Sequence, residues 1–132
     1  MSLQQIEPDL LYSVLCDEVR REDNGKWILL GLFEQITVAN FPTQHPQCCI
    51  VNKWLNGSGT FYQTTKFVDE DDQVLIQSEM LPFELETMES SFTAVQMFAG
   101  LTLHKPGKIW VEIYLGSELK QRFPIRINEL RR

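Results

Sequence analysis

Apolar positions in this chain alternate with polar ones or gather in short runs, and Gly and Pro clusters end each run before a helical period can establish itself. The first run, residues 11–19 (LYSVLCDEV), is rich in strand formers and gives way to the polar segment RREDNGK. Within that segment Asn24-Gly25 predicts a hairpin, because a type I′ turn needs positive φ at both central residues. Asp23 and Lys26 would close the turn, and residues 27–33 (WILLGLF) return as the second strand. Gly31 in that strand predicts a bulge or a close backbone approach. A short run follows at 36–41, after which Pro42 and Pro46 delimit a loop that no central strand could contain.

Residues 48–55 (CCIVNKWL) and 61–68 (FYQTTKFV) read as strands joined by the turn NGSG at 56–59, and the acidic tip DEDD at 69–72 reverses the chain again. Between 74 and 86 the apolar parity changes. Val74, Ile76 and Met80 hold even positions, whereas Leu81, Phe83 and Leu85 hold odd ones, which predicts a bulge or a change of sheet near Leu81-Pro82. Residues 91–103 (SFTAVQMFAGLTL) read first as strand. A short helix is the alternative, since Phe92, Val95 and Phe98-Ala99 could share a helical face. The turn HKPG at 104–107 leads into the last two runs, 109–115 and 119–127.

Those two runs allow a register argument. A two-residue loop would set Leu115 against Glu118 and put the apolar rows on opposite faces. A three-residue loop over 116–118 pairs Leu115 with Leu119, Val111 with Phe123 and Ile109 with Ile125, so both rows turn inward. Burial is worth about 1.5–3 kcal/mol per large side chain, more than a turn preference, so the longer loop is expected, with Glu112 facing Arg122 on the solvent side.

The sum is an all-β chain: an antiparallel β-sandwich, or partly open barrel, of about eight or nine strands, with one short helix as the variant at 91–103. A length of 132 residues holds one domain, expected at 10–128 between a flexible start, 1–9, and a short tail, 129–132. At 43% hydrophobic and 23% charged the composition is that of an ordinary folded, soluble protein. The formal charge of −6 argues against nucleic acid, because the dense basic steps are only Arg20-Arg21, hemmed by Glu18, Glu22 and Asp23, and Arg131-Arg132. No apolar window of about 18 residues predicts a membrane span, and the acidic start MSLQQIEPD does not resemble a secretion signal. Three cysteines, an odd count, fit a reducing cytoplasm.

Candidate chemistry is sparse. His45, between prolines, and His104, in a turn, are not spaced with other ligands, and no G-x-S-x-G elbow or phosphate loop occurs. Cys48-Cys49 lacks the two-residue spacer of a redox pair, and on a strand the two thiols point to opposite faces; Cys16 reads as core or half-buried filling. Asp69, Asp71 and Asp72 are a weak cation candidate without an enclosing motif. No catalytic, cofactor-binding or metal-ligating residue is nominated, and no cofactor is expected.

The segment LLYSVLCDEVRREDNGKWILLGLFEQITVANFPTQHP, residues 10–46, resembles the opening of a family of small uncharacterised bacterial proteins. In that family an L-C-D/E-x-V/A-R strand, an Asn-Gly-Lys turn, an L-x-G-hydrophobic-F/Y strand and a Phe-Pro loop occur in this order. The segment FAGLTLHKPGKIWVEIYLGSEL, residues 98–119, is similar to the same family's late hairpin. The resemblance implies a compact all-β intracellular domain of bacteria or their phages and assigns no catalytic residue. The expected function is a noncatalytic interaction or binding module; the alternative is an enzyme, such as a hydrolase, with a diffuse active site. Trp110 and Tyr114, opposite the inward row, are the expected interface of a homodimer or of an unidentified protein partner.

Overall fold

In a computed structural model that describes residues 5–131, the chain forms ten strands packed as two sheets. One sheet holds β1 (Asp9–Arg21), β2 (Trp27–Leu32), β4 (Thr43–Leu55) and β8 (Ser91–Leu103), in the order β2-β1-β4-β8. The other holds β3 (Gln35–Val38), β5 (Gly59–Val68), β6 (Val74–Gln77), β9 (Gly107–Leu115) and β10 (Glu118–Glu129) in the order β3-β10-β9-β5-β6, with β7 (Leu81–Leu85) also beside β5. This is the expected β-sandwich, with ten strands in place of eight or nine. Residues 91–103 are strand throughout, and the described residues contain no helix.

Every pairing is antiparallel except β3 with β10, which run parallel with Gln35 opposite Arg126. Residues 33–34 carry the chain from β2 in one sheet to β3 at the edge of the other, and that crossing sets the direction. The N-terminal segment lies over the 56–59 turn, where Ile6 and Ser58 exchange backbone hydrogen bonds of 2.8 and 2.9 Å. β10 reaches into the expected tail; residues 1–4 of the expected flexible start, and residue 132, lie outside the described residues.

The core between the sheets follows strand alternation. Cys48, Ile50 and Trp54 of β4 and Ala94 and Phe98 of β8 meet Phe67 of β5, Val111 and Ile113 of β9, and Ile125 and Ile127 of β10. Aromatic rings tie the layers: Phe67 meets Phe98 edge-on at 4.8 Å and Phe83 stacks on Phe92 at 5.1 Å.

Four local expectations need correction. The first hairpin is not closed by Asp23 and Lys26: Glu22 N–H donates to Lys26 O and Gly25 N–H to Glu22 O, leaving a three-residue loop in which only Gly25 has positive φ, +88°. Pro46 lies within β4 and not in a loop. β1 leaves β4 after the Cys16–Cys49 pair, so around Pro46 the strand neighbours β8 alone, beside Gly100 at φ +72°. In the last hairpin Leu115 does face Glu118 across a two-residue turn, because Gly116 at φ +59° suits the first position of a type II′ turn. A bulge at Lys120 then supplies the extra residue, restoring Val111 opposite Phe123, Ile109 opposite Ile125 and Glu112 opposite Arg122. Lys120 reaches from this bulge to Glu7 and Glu118. Finally, the parity change at 78–80 is a break between β6 and β7 within one sheet, where Thr65 N–H donates to Ser78 Oγ and Ser78 N–H to Thr65 O.

Candidate functional site

Strand register places three rows of side chains across the outer face of the four-stranded sheet. Cys16, Cys49 and Met97 align in one row, Val14, Val51 and Val95 in the next, and Tyr12, Lys53 and Thr93 in the third. Leu32 extends the first row onto β2. Because Cys48, Ile50 and Trp54 face the core, Cys49, Val51 and Lys53 must point the other way. Cys16, Cys49 and Val51 are themselves buried, enclosed by Val14, Val19, Leu29 and Val95, whereas Met97 and Leu32 stand 66% and 62% exposed. Lys53 is the only charged residue in these rows. An antiparallel sheet with one face on a core ordinarily turns polar side chains to water on the other; here that face carries a valine row in which Val51 is buried and Val14 and Val95 are half-buried. The sequence carried one sign of it: CCIV at 48–51 is apolar at both parities, which a strand with one wet face would not be.

Trp110 and Tyr114 lie on the outer face of the other sheet, half-buried. Their rings are occupied by cations of the same chain: the Arg122 guanidinium sits 3.9 Å over Trp110, and the Lys66 ammonium 4.6 Å over Tyr114. Glu112 links the two, accepting from the Tyr114 hydroxyl at 3.0 Å and from Arg122 Nε at 3.1 Å. Burial and the bond to Glu112 push the Tyr114 phenol above its ordinary value.

The other reactive side chains are the three thiols, the two histidines and the acidic tip. Cys48 and Cys49 do face opposite ways, one into the core and one onto the outer face, yet Cys49 is buried too. All three thiols are free, and burial is the main cause raising each, Cys48 to about 12. Since the thiolate is the nucleophile, such thiols react slowly at neutral pH. His45 lies in β4 with its ring 5.7 Å from that of Phe33. His104 borders a small cleft of about 40 Å³ with Asp69 and Glu70. In the acidic tip Asp69 Oδ1 accepts from the backbone N–H of Asp71 and of Gln73, both at 2.9 Å, so this carboxylate holds its own turn; Asp72 adopts φ +61°. Among the described residues no group of three or more His, Cys, Asp or Glu side chains is placed to hold a metal ion. A larger cleft, about 200 Å³, opens between β1, the 32–34 segment and β10; Leu15, Leu32, Phe33 and Phe123 line it, with Glu34 as its one ionisable side chain. No described helix is long and apolar enough to cross a membrane, which says nothing of strands.

No curated protein matches the chain. A family model matches residues 11–128, from within β1 to the end of the last hairpin, so the region that carries both sheets falls under one description: the chain belongs to DUF6941, a family of unknown function.

Proposed function

We propose that this chain is a noncatalytic interaction module whose docking element is the four-stranded sheet. The observation that carries this reading is the outer face, where Val14, Val51 and Val95 align in a row and Met97 and Leu32 project beside them. Three features support it: burial raises the thiols, the Asp69 carboxylate at the acidic tip holds its own turn, and Gln63 and Gln96 bond to one another in the core. The setting that suits three free thiols is a reducing cytoplasm, and the resemblance of residues 10–46 points to a bacterial one. Trp110 and Tyr114 are the weaker docking candidates, since Arg122 and Lys66 already cover their rings.

The test compares tagged wild type with Val95→Glu and Lys66→Ala, each recovered from expressing cells and sized by light scattering after gel filtration. An assembly heavier than the single chain is expected for wild type and Lys66→Ala and lost in Val95→Glu, with the circular dichroism of all three unchanged. The same assembly in Val95→Glu contradicts the reading.

A further inference from the structure

We infer that β8 pairs antiparallel with β8 of a second copy across a two-fold axis, joining two four-stranded sheets into one sheet of eight strands. The inference rests on the four-stranded sheet being the docking element and names the partner and the mode.

β8 is the longest sheet edge in the fold. Its thirteen residues pair with β4 on one side, and among the described residues no backbone group bonds to the other side. Alternate N–H and C=O groups of an antiparallel strand point away from its neighbour, so this edge is a template for another strand. Proteins ordinarily shield such edges by shortness, charge, proline or bulges. The other edges here are shielded in those ways: β3 and β6 have four residues each, β2 has six with Gly31 at φ +72°, and β7 carries Pro82 and Glu84. β8, SFTAVQMFAGLTL, contains no charged residue and no proline. Its one residue at positive φ, Gly100, lies past the middle, and residues 91–99 keep an unbroken register with β4.

Charge selects a second copy as the occupant. A two-fold contact sets each strand against itself, so a charged edge would meet its own charge. Two copies of a chain of net −6 repel on average, whereas the outward row of β8, Thr93, Val95, Met97 and Ala99, is neutral, with Glu79 of the neighbouring segment the one charged side chain in the groove beside it. With the axis at Met97, Val95 of each copy lies opposite Ala99 of the other. The apolar row Cys16, Cys49, Met97 then continues unbroken from one copy into the next.

The edge is open beside its middle, where Ser78, Glu79, Met80 and Leu81 leave a groove of about 320 Å³ against Gln96 and Met97. Met80 and Met97, each 66% exposed, flank it, and unbranched thioether side chains adapt readily to an arriving surface.

Analytical ultracentrifugation from low to high micromolar protein compares wild type, Met97→Glu, Met97→Lys, an equimolar mixture of those two, and Tyr12→Glu. Met97 and Tyr12 are exposed, so the variants should fold, which circular dichroism checks. The expected result is a wild-type dimer, weakening by roughly 100-fold or more in each Met97 variant from like charges at the axis, and recovery in the mixture. Tyr12→Glu, on β1 and two strands from the edge, stays dimeric. A dimer that survives both Met97 variants, or is lost in Tyr12→Glu, overturns edge pairing and leaves the sheet as docking element. A monomer throughout overturns the second copy as partner, and the docking element then stands only if wild type recovered from cells carries a heavier assembly that Val95→Glu loses.

Discussion

Trp54 donates its indole N–H to the Gln63 side-chain oxygen at 2.6 Å, between the two sheets and away from water. The bond is the first of a chain. Gln63 donates to Gln96 Oε1 at 2.9 Å, Thr65 Oγ1 donates to the same oxygen at 2.7 Å, and Gln96 Nε2 donates to Ser78 Oγ and to the Glu79 carbonyl. Each buried polar side chain in it is satisfied, so the network ties β4, β5 and β8 to the 78–79 break and fixes how the sheets face each other.

Replacing Gln96 by Leu leaves Gln63 Nε2 and Thr65 Oγ1 without their shared acceptor. Each buried orphan costs about 1–3 kcal/mol, so Gln96→Leu should lower the urea midpoint well below wild type. An unchanged midpoint would show that the network holds nothing.

Asn52 is the counterexample within the same core. It is fully buried opposite Ser13, and neither atom of its amide group has a hydrogen-bond partner. Asn52→Val removes that penalty and suits a strand, so unfolding free energy should rise by about 1–3 kcal/mol. Loss of stability in this variant would mean that the amide does find a partner in solution.

The Cys48 thiol titrates near 12, against an ordinary value of 9.0, with burial the main cause and Cys49 next. Its contribution to stability is complete below pH 9. Above that the unfolded thiol ionises first, and the contribution is lost as pH rises toward 12. Cys48→Val should flatten the alkaline fall in stability over this window by up to about 1.4 kcal/mol per pH unit. Parallel slopes for the two proteins would show that the thiol is not buried in the folded state.

A Cβ placed on Gly57 would lie 2.7 Å from Cα of Pro8, backbone that has no easy way to yield. Gly57→Ala should therefore cost about 1–3 kcal/mol and loosen the Ile6–Ser58 bridge. Thermal unfolding within about 0.5 kcal/mol of wild type contradicts that close approach.

Period-two patterning and turn residues made the sandwich and nearly every strand legible, because each inward row has to be apolar whichever strand lies beside it. What could not be read locally depended on neighbours distant in sequence. Pro46 is tolerated in β4 because β1 diverges there, and β3 runs parallel to β10, 91 residues later in the chain at the Gln35–Arg126 pair. In the last hairpin the Gly116 turn and the inward apolar rows hold together only because the Lys120 bulge absorbs one residue. The surface was harder still. Trp110 and Tyr114 stand out in the sequence as outward aromatics, but whether such a ring is free depends on cations such as Arg122, which lies on the neighbouring strand. The valine row was hidden because its members come from three strands, and only the double-parity run at 48–51 hinted at it.

The most direct measurement of the four-stranded sheet as docking element, with β8 as its contact edge, is residue-resolved amide hydrogen exchange at low and high protein concentration. Pairing through β8 predicts that every second amide within 91–99 slows as concentration rises, while the amides of β9 beneath Trp110 and Tyr114 do not change. Exchange in β8 that is the same at both concentrations, with β9 slowing instead, would place the contact on the other sheet and contradict the account.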